Sequence, residues 1–368
     1  MRAVCVFPGT REVRIVERDE PRLSAPEHVK LRMLEVGVCG TDKELCAFVY
    51  GTPPPGSDHF ILGHESLGEV VEVGPATRGV GVGDLVVGSV RVPCGVAGCD
   101  PCGNGHQDFC TTGKYREHGI TGLDGYMAEY VVEDARYLHR VSAQLRDVAV
   151  LVEPLTIAEK AWSEAARIQQ RLPWTQTRRK ALVLGAGAVG LLGAMKLMEE
   201  GFDTTVYSLL PAPNPSSIIA TAIGATYLSS GEVTVDEMAA QAAPIDLVYE
   251  AIGAAQLAFD VLPRLAPNGL FIFTGVPRAE ELERFDTGAI LTNLVLRNQA
   301  IVGIVNSGHQ AFQDAIRDLE KFNRRWPGAL ERMITARYYI EDFLDPVTGR
   351  AGGIKNVIQL APSFSRGK

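Results

Sequence analysis

Lys180-Ala181-Leu182-Val183-Leu184-Gly185-Ala186-Gly187-Ala188-Val189-Gly190 reads as an apolar strand running into Gly-x-Gly-x-x-Gly, with Leu191 to Glu200 continuing as a helix. The first glycine permits the turn, the second lets backbone approach a pyrophosphate, and the third lets the helix pack closely on the strand. The helix N-terminus then faces the phosphates. Gly185, Gly187, Ala188, Val189 and Gly190 are therefore candidate cofactor contacts. A packing turn of small residues carries the same glycines; the strand-to-helix setting favours the nucleotide reading.

Downstream, apolar strands recur at Thr204 to Tyr207, Ala225 to Leu228, Leu247 to Tyr249, Leu270 to Phe273 and Ala300 to Ile304, with helical stretches such as Ile218 to Ile223 and Ala255 to Leu262 between them. Strands alternating with helices predict a doubly wound parallel sheet. The second strand of such a sheet normally ends in an acid for the adenosine ribose, or near a basic residue for a 2′-phosphate. Here it ends Tyr207-Ser208-Leu209-Leu210-Pro211, so Ser208 is the candidate contact and the choice of NAD or NADP stays open.

Upstream the texture changes. Val13 to Val16, Val29 to Met33, Gly68 to Val73 and Leu85 to Gly88 predict short strands of a β-rich domain. Its irregular connections carry Cys39, in Val38-Cys39-Gly40-Thr41-Asp42, and His64, in Gly63-His64-Glu65. Glu153 stands before Pro154 at the start of a helical pattern reaching about Gln170. Cys39, His64 and Glu153 form a thiolate, imidazole and carboxylate set of the kind that leaves zinc one open position, with Glu65 as a direct or outer partner. Cys94, Cys99, Cys102 and Cys110, separated by four, two and seven residues in a Gly-rich loop, can close a second zinc site of four thiolates that holds a lobe in shape.

At 368 residues the chain is long for one core, so two domains are expected. We place the β-rich catalytic domain at 1–172, with the cysteine lobe near 93–111, the nucleotide domain at 173–300, and a return to the first domain over 301–368. Past Ile304 a long amphipathic helix runs from Gln310 to Phe322, and strands near Ile354 to Gln359 resemble the first half. The net charge of −8 gives no electrostatic reason to expect nucleic acid or a membrane surface as partner. The longest uncharged apolar run, Ala181 to Met195, is too short to span a bilayer. Seven cysteines, an odd number without a secretory signal, argue for metal ligation in a reducing compartment, the cytoplasm.

Together, Gly37 to Asp42, Gly63-His64-Glu65, the four-cysteine lobe and Gly185 to Gly190 resemble the zinc-dependent medium-chain dehydrogenases. Within them the chain is most similar to the glucose (aldose) 1-dehydrogenase branch, through Glu117-His118-Gly119-Ile120, Asp124 to Met127, Glu153-Pro154-Leu155, Ile168 to Trp174 and Gly303-Ile304-Val305-Asn306. The resemblance implies a GroES-like catalytic domain joined to a Rossmann domain, two zinc ions per chain, NADP or NAD, and a homodimer or homotetramer. It implies that Cys39, His64 and Glu153 hold the catalytic zinc, that Glu65 is an exchanging partner, and that Thr41 relays the substrate proton. It also implies sugar contacts at Thr41, Glu117, Glu153 and Asn306, and cofactor contacts at Gly275, Val276, Ile304, Val305 and Asn306. The expected reaction is hydride transfer from C1 of a glucose-type aldose to NAD(P), giving the lactone.

The chain departs from the branch in three places. The first lobe interval is longer than its usual two residues. Ile157 stands where the branch has a sugar-binding acid, and Leu209-Leu210-Pro211 where it often grips a 2′-phosphate with arginines. A zinc polyol or aliphatic alcohol dehydrogenase is the alternative enzyme, and a nucleotide-binding protein without catalysis the alternative class.

Overall fold

Strand His28–Val38 alternates buried and half-buried residues over its first turns of pleat and is wholly buried at its far end, as expected of a strand entering the centre of a core. In the computed structural model, which describes residues 1–174, 179–277 and 285–361, this strand is central to a seven-stranded sheet. The sheet runs in the order Leu138–Val141, Leu85–Gly88, Glu65–Val73, His28–Val38, Lys355–Gln359 and Ile334–Tyr339, with Tyr130–Asp134 also paired to His28–Val38. Its neighbours are antiparallel except the final pair, Lys355–Gln359 with Ile334–Tyr339. Val29, Leu31, Met33, Phe60, Leu62 and Tyr126 fill the core beneath it.

Register places the site. Gly37 is the cross-strand partner of Glu65, and Val38 that of Asn356. Cys39 therefore follows one strand where His64 precedes its neighbour, at one end of the sheet. A side chain at Gly37 would put its Cβ 2.2 Å from Glu65 Oε2, so only glycine fits there.

The second sheet has six parallel strands in the order Thr226–Ser229, Phe202–Ser208, Arg179–Leu184, Ile245–Glu250, Leu265–Phe273 and Ala300–Gly303. In chain order this is 3-2-1-4-5-6, the doubly wound arrangement of dinucleotide-binding sheets. Leu182, Leu184, Val248, Val261 and Phe271 are among the apolar residues buried with it.

The chain divides into two compact units. One takes Met1–Thr156, Asn306–Glu320 and the chain from Ile334 onward; the other takes Ile157–Val305 and Lys321–Met333. The first junction thus falls at 156/157, inside helix Val152–Gln169, and not at 172/173. The reason is packing: Glu159 pairs with Lys196 at 2.9 Å and Trp162 meets Phe202 edge-on, which ties most of this helix to the nucleotide sheet. The second junction falls at 305/306, and 321–333 rejoins the nucleotide unit. Residues 362–368, assigned from sequence to the returning segment, lie outside the described residues.

Candidate active site

Cys39 is the N-cap of helix Gly40–Cys46. Its Sγ accepts the Thr41 N–H at 3.2 Å, and Asp42 Oδ2 accepts the Cys39 N–H at 2.8 Å, a reciprocal cap. His64 enters from the strand beside it and brings Nε2 to 3.0 Å from Cys39 Sγ. Its other ring nitrogen, Nδ1, lies 3.4 Å from Asp42 Oδ1, and Asp42 is fully buried. A carboxylate behind a ligating histidine fixes its tautomer and ring orientation. Burial opposes a charge on His64, but the Cys39 and Asp42 charges outweigh it and hold the ring well above the usual imidazole range. Asp42 was quoted from sequence only as part of the cysteine motif; its three-residue spacing from a capping Cys39 was the available signal.

Cys39, His64 and Glu65 offer ligand atoms that all lie within 4.8 Å of one another. Glu65 is not free to swing, because Lys355 Nζ donates to both its carboxylate oxygens at 2.6 and 2.5 Å, and to Val38 O at 3.2 Å. Each side chain of that pair is only 2 % exposed. Burial opposes the lysine's charge, yet Glu65 foremost and Cys39 after it raise its pKa. Nothing local marked Lys355 in the sequence. Glu153 stands outside the close triple, at the start of its helix. Its carboxyl is pushed up to about 7, by burial first, with His64 and Lys355 opposing and Glu65 adding, so it faces the same group of charges. Thr41 is half-buried, and its hydroxyl lowers the Tyr50 phenol against a larger rise from burial.

The two implied sugar contacts meet, although 189 residues separate them: Asn306 Nδ2 donates to Glu117 Oε1 at 2.9 Å. Asn306 holds φ +56, a left-handed conformation that asparagine tolerates. Arg91 grips the same Glu117 oxygen through Nε at 3.0 Å and a terminal nitrogen at 2.9 Å. Its guanidinium is buried, lies over the Tyr115 ring and reaches Asp108 O at 3.4 Å. On the other side, Ser307 Oγ donates to Thr156 Oγ1 at 2.8 Å, and Thr156 donates to Glu153 O at 2.6 Å. One hydrogen-bonded run thus joins Arg91, Glu117, Asn306, Ser307 and Thr156 to the backbone of Glu153. Sequence reading named neither Arg91 nor Thr156.

Asp108 belongs to the lobe. Cys94, Cys99, Cys102 and Cys110 also place their sulfurs within 4.8 Å of one another. Backbone N–H groups of Cys102 and Thr111 pull the Cys99 thiol down to about 6, and the Thr112 hydroxyl lowers Cys110, while burial raises Cys102 to about 12. Four converging sulfurs with some poised as thiolates suit a closed tetrahedral metal site.

In the nucleotide unit, Gly185 holds φ +103, and a Cβ at Gly190 would lie 2.1 Å from Gly185 O, whereas Gly187 has nothing within 4 Å of its missing side chain. The first and third glycines serve the turn and helix packing, and the second leaves an open cradle, with Ala188 and Val189 opening helix Ala188–Glu199. Ser208 ends its strand half-buried, Val276 and Val305 are exposed and Ile304 is buried. Gly275 approaches Gly253 so closely that a Cβ would meet its N at 2.1 Å. Glu250, buried and unremarked from sequence, ties this end of the sheet by accepting the Ile252 and Gly253 N–H groups at 2.7 and 2.6 Å and that of Gly275 at 3.2 Å.

Known proteins are similar to this one along nearly the whole chain. The alcohol dehydrogenase GroES-like domain family matches residues 25–143, and the glucose dehydrogenase C-terminus family residues 146–360. Glucose 1-dehydrogenase of Methanocella arvoryzae is 38 % identical over 361 residues, covering 98 % of this chain and 99 % of that one. Glucose 1-dehydrogenase of Thermoproteus tenax is 39 % identical over 364 residues, with coverage of 98 % and 99 %. Among solved structures, Haloferax mediterranei glucose dehydrogenase in complex with NADP, Zn and gluconolactone superposes with a TM-score of 0.88 at 31 % identity, covering 98 % of this chain and 99 % of that one. By its matched residues and by both sheets, the chain belongs to the glucose dehydrogenase family of medium-chain dehydrogenases.

Proposed function

We propose that this protein is a zinc-dependent glucose 1-dehydrogenase, oxidising an aldose at C1 to the lactone with reduction of NAD(P). The observation that carries the reading is the convergence of Cys39 Sγ on His64 Nε2 at 3.0 Å amid buried carboxylates, a mixed donor set that suits a catalytic zinc. Cys39, His64 and Glu153 would hold the metal, with Glu65 an outer partner while Lys355 retains it. When bound, zinc supplies Lewis acidity and the nicotinamide supplies a hydride acceptor.

The chain's own residues do the rest. Asp42 orients His64 and sets its tautomer. Thr41 takes the proton of the substrate hydroxyl at Oγ1 and passes it outward past Tyr50. Glu117 and Asn306 hold sugar hydroxyls, their geometry preset by Arg91 and Ser307. Such positioning fixes which carbon of the sugar reaches the Cys39 cluster. Gly187 and the N-terminus of helix Ala188–Glu199 receive the pyrophosphate, and Ser208, Gly275, Val276, Ile304 and Val305 line the rest of the dinucleotide. The four lobe cysteines hold a second, structural zinc.

One substrate panel tests the reading: glucose, galactose, sorbitol and simple alcohols, each with NAD and NADP, on protein whose zinc content is measured. About two zinc per chain with lactone formed from aldoses supports it. Preference for sorbitol or aliphatic alcohols supports the alternative enzyme, which Ile157, in place of an acid, favours. Tight nucleotide binding with one zinc and no turnover would support a non-catalytic binder.

Self-association is part of the proposal. Strand Ala300–Gly303 pairs on one side only among the described residues and exposes Ile301, and helix Thr287–Leu296 exposes Leu291, Val295 and Leu296. An open edge beside exposed apolar residues suits a two-fold homodimer. All seven cysteines are free, which supports a reducing, cytoplasmic setting. No described helix is long and apolar enough to cross a membrane.

A further inference from the structure

Resting on the dinucleotide site proposed above, the end of strand Phe202–Ser208 decides which dinucleotide fits. Tyr207 is the register partner of Leu184 and its carbonyl accepts the Gly185 N–H at 2.8 Å. Ser208 therefore emerges beside the glycine turn, where a doubly wound sheet receives the adenosine ribose. A 2′-phosphate there adds roughly two negative charges and calls for arginine or lysine.

None is at hand. The chain carries no lysine, arginine or histidine from Leu197 to Pro263, a span that holds nine aspartates and glutamates. The basic residues bounding it are committed elsewhere: Lys196 to Glu159 and Glu200 at 2.9 Å each, Arg264 to Asp236 at 2.5 Å. Arg179 sits at the opposite end of the strands, over the Phe202 ring.

The loop that follows Ser208 is also fixed in place. Ser229 Oγ donates to Leu209 O at 2.9 Å, Tyr227 OH to Leu210 O at 2.7 Å, and Asn214 Nδ2 to Leu210 O and Pro211 O at 3.2 and 3.0 Å. With their carbonyls tied down, Leu209 and Leu210 present side chains that are 71 % and 59 % exposed. This surface offers an adenosine apolar contact and one hydroxyl, Ser208, but no compensation for a phosphate dianion.

We propose that Ser208-Leu209-Leu210 makes this protein select NAD over NADP, the 2′-phosphate being rejected for want of a cation in the stretch of chain that would receive it. The discrimination is electrostatic and resides in the nucleotide unit alone, so it is readable from binding without turnover.

The test is calorimetric titration of the zinc-loaded protein with NAD and NADP at low salt, with 5′-AMP and 2′,5′-ADP as fragment probes. NAD is expected to bind at least about tenfold tighter than NADP, and 5′-AMP tighter than 2′,5′-ADP. That ratio corresponds to about 1.4 kcal/mol. The double variant Leu209→Arg, Leu210→Arg alters exposed side chains, and is expected to raise NADP affinity relative to NAD about tenfold or more. NADP binding as tightly as NAD to the unaltered protein, or a double variant that leaves the ratio where it was, would overturn the inference. Failure of both dinucleotides to bind would instead overturn the proposed function, and this inference with it.

Discussion

The chain gathers metal-binding donors twice, and by different means. Around Cys39 the donors are of three chemical kinds and sit at strand ends and a helix cap, and two of them have a buried partner of opposite charge: Asp42 behind His64, Lys355 on Glu65. Around Cys102 the donors are all thiols, on a loop turned by Gly95 and Gly98 at φ +67 and +82, with thiolate character drawn from nearby backbone N–H groups. A set of four sulfurs saturates a tetrahedral ion, whereas a mixed set of thiolate, imidazole and carboxylate is the kind that keeps a position for substrate. On the proposed function, chemistry falls to the first cluster and shape to the second.

The largest effect that could break this contrast is in turnover. Cys39→Ala is expected to cut turnover on the preferred sugar by about a thousandfold or more and to remove about one zinc per chain. Its melting temperature should fall only a few degrees, a lost helix cap costing about 1 kcal/mol. Cys102→Ala should do the reverse: stability drops by about 4 kcal/mol as the lobe loses its metal, while turnover per folded molecule stays within about threefold. Steady-state assays, metal analysis and thermal melts on the two variants separate these outcomes. Equal losses of turnover in both would collapse the division.

Lys355→Met sharpens the comparison from inside the catalytic cluster. It strands the Glu65 carboxylate in a site where both partners were 2 % exposed, which should cost about 3 kcal/mol, the low end for a broken buried pair because the carboxylate can protonate. The sign with pH follows. In the variant, folded Glu65 holds its proton to higher pH than the unfolded chain does. Folding then takes up a proton, so the deficit shrinks as pH falls and grows as it rises. Urea melts between acid and neutral pH check this; a deficit that does not change with pH would show that the pair carries little of the stability.

The contrast also explains what could be read from the amino-acid order. The six-stranded sheet was legible because its first strand, glycines and helix follow one another between residues 179 and 199, and the lobe was legible because its four cysteines fall between 94 and 110. Cys39, His64 and Glu65, which the structure brings together, were marked by local motifs. The braces were not. Lys355 lies 290 residues from Glu65, and a lone lysine late in a chain has no local pattern to distinguish it. The 156/157 junction was equally hidden: the helical periodicity runs unbroken from Val152 through Gln169, and which unit that helix packs against depends on Lys196 and Phe202, far along the chain.

Arg91 tests whether the two clusters are as separate as their chemistry. Its guanidinium links the proposed sugar contact to the lobe, holding Glu117 by two nitrogens and touching Asp108 O while lying over Tyr115. Lysine keeps the charge but loses the planar fork and the stacking face, so Arg91→Lys should leave Glu117 paired yet loosely aimed. The expected result is a KM for the sugar raised about tenfold, with kcat within about twofold, since the interaction lost is one made before and during reaction alike. The dinucleotide KM should not move, because every contact of Arg91 on Glu117, Asp108 and Tyr115 is within the β-rich unit. A matching rise in sugar KM for Cys102→Ala would show that the lobe shapes the sugar site through this one side chain. A fall in kcat instead would mean that Arg91 bears on the reacting centre itself, through Asn306, Ser307 and Thr156 to the backbone of Glu153.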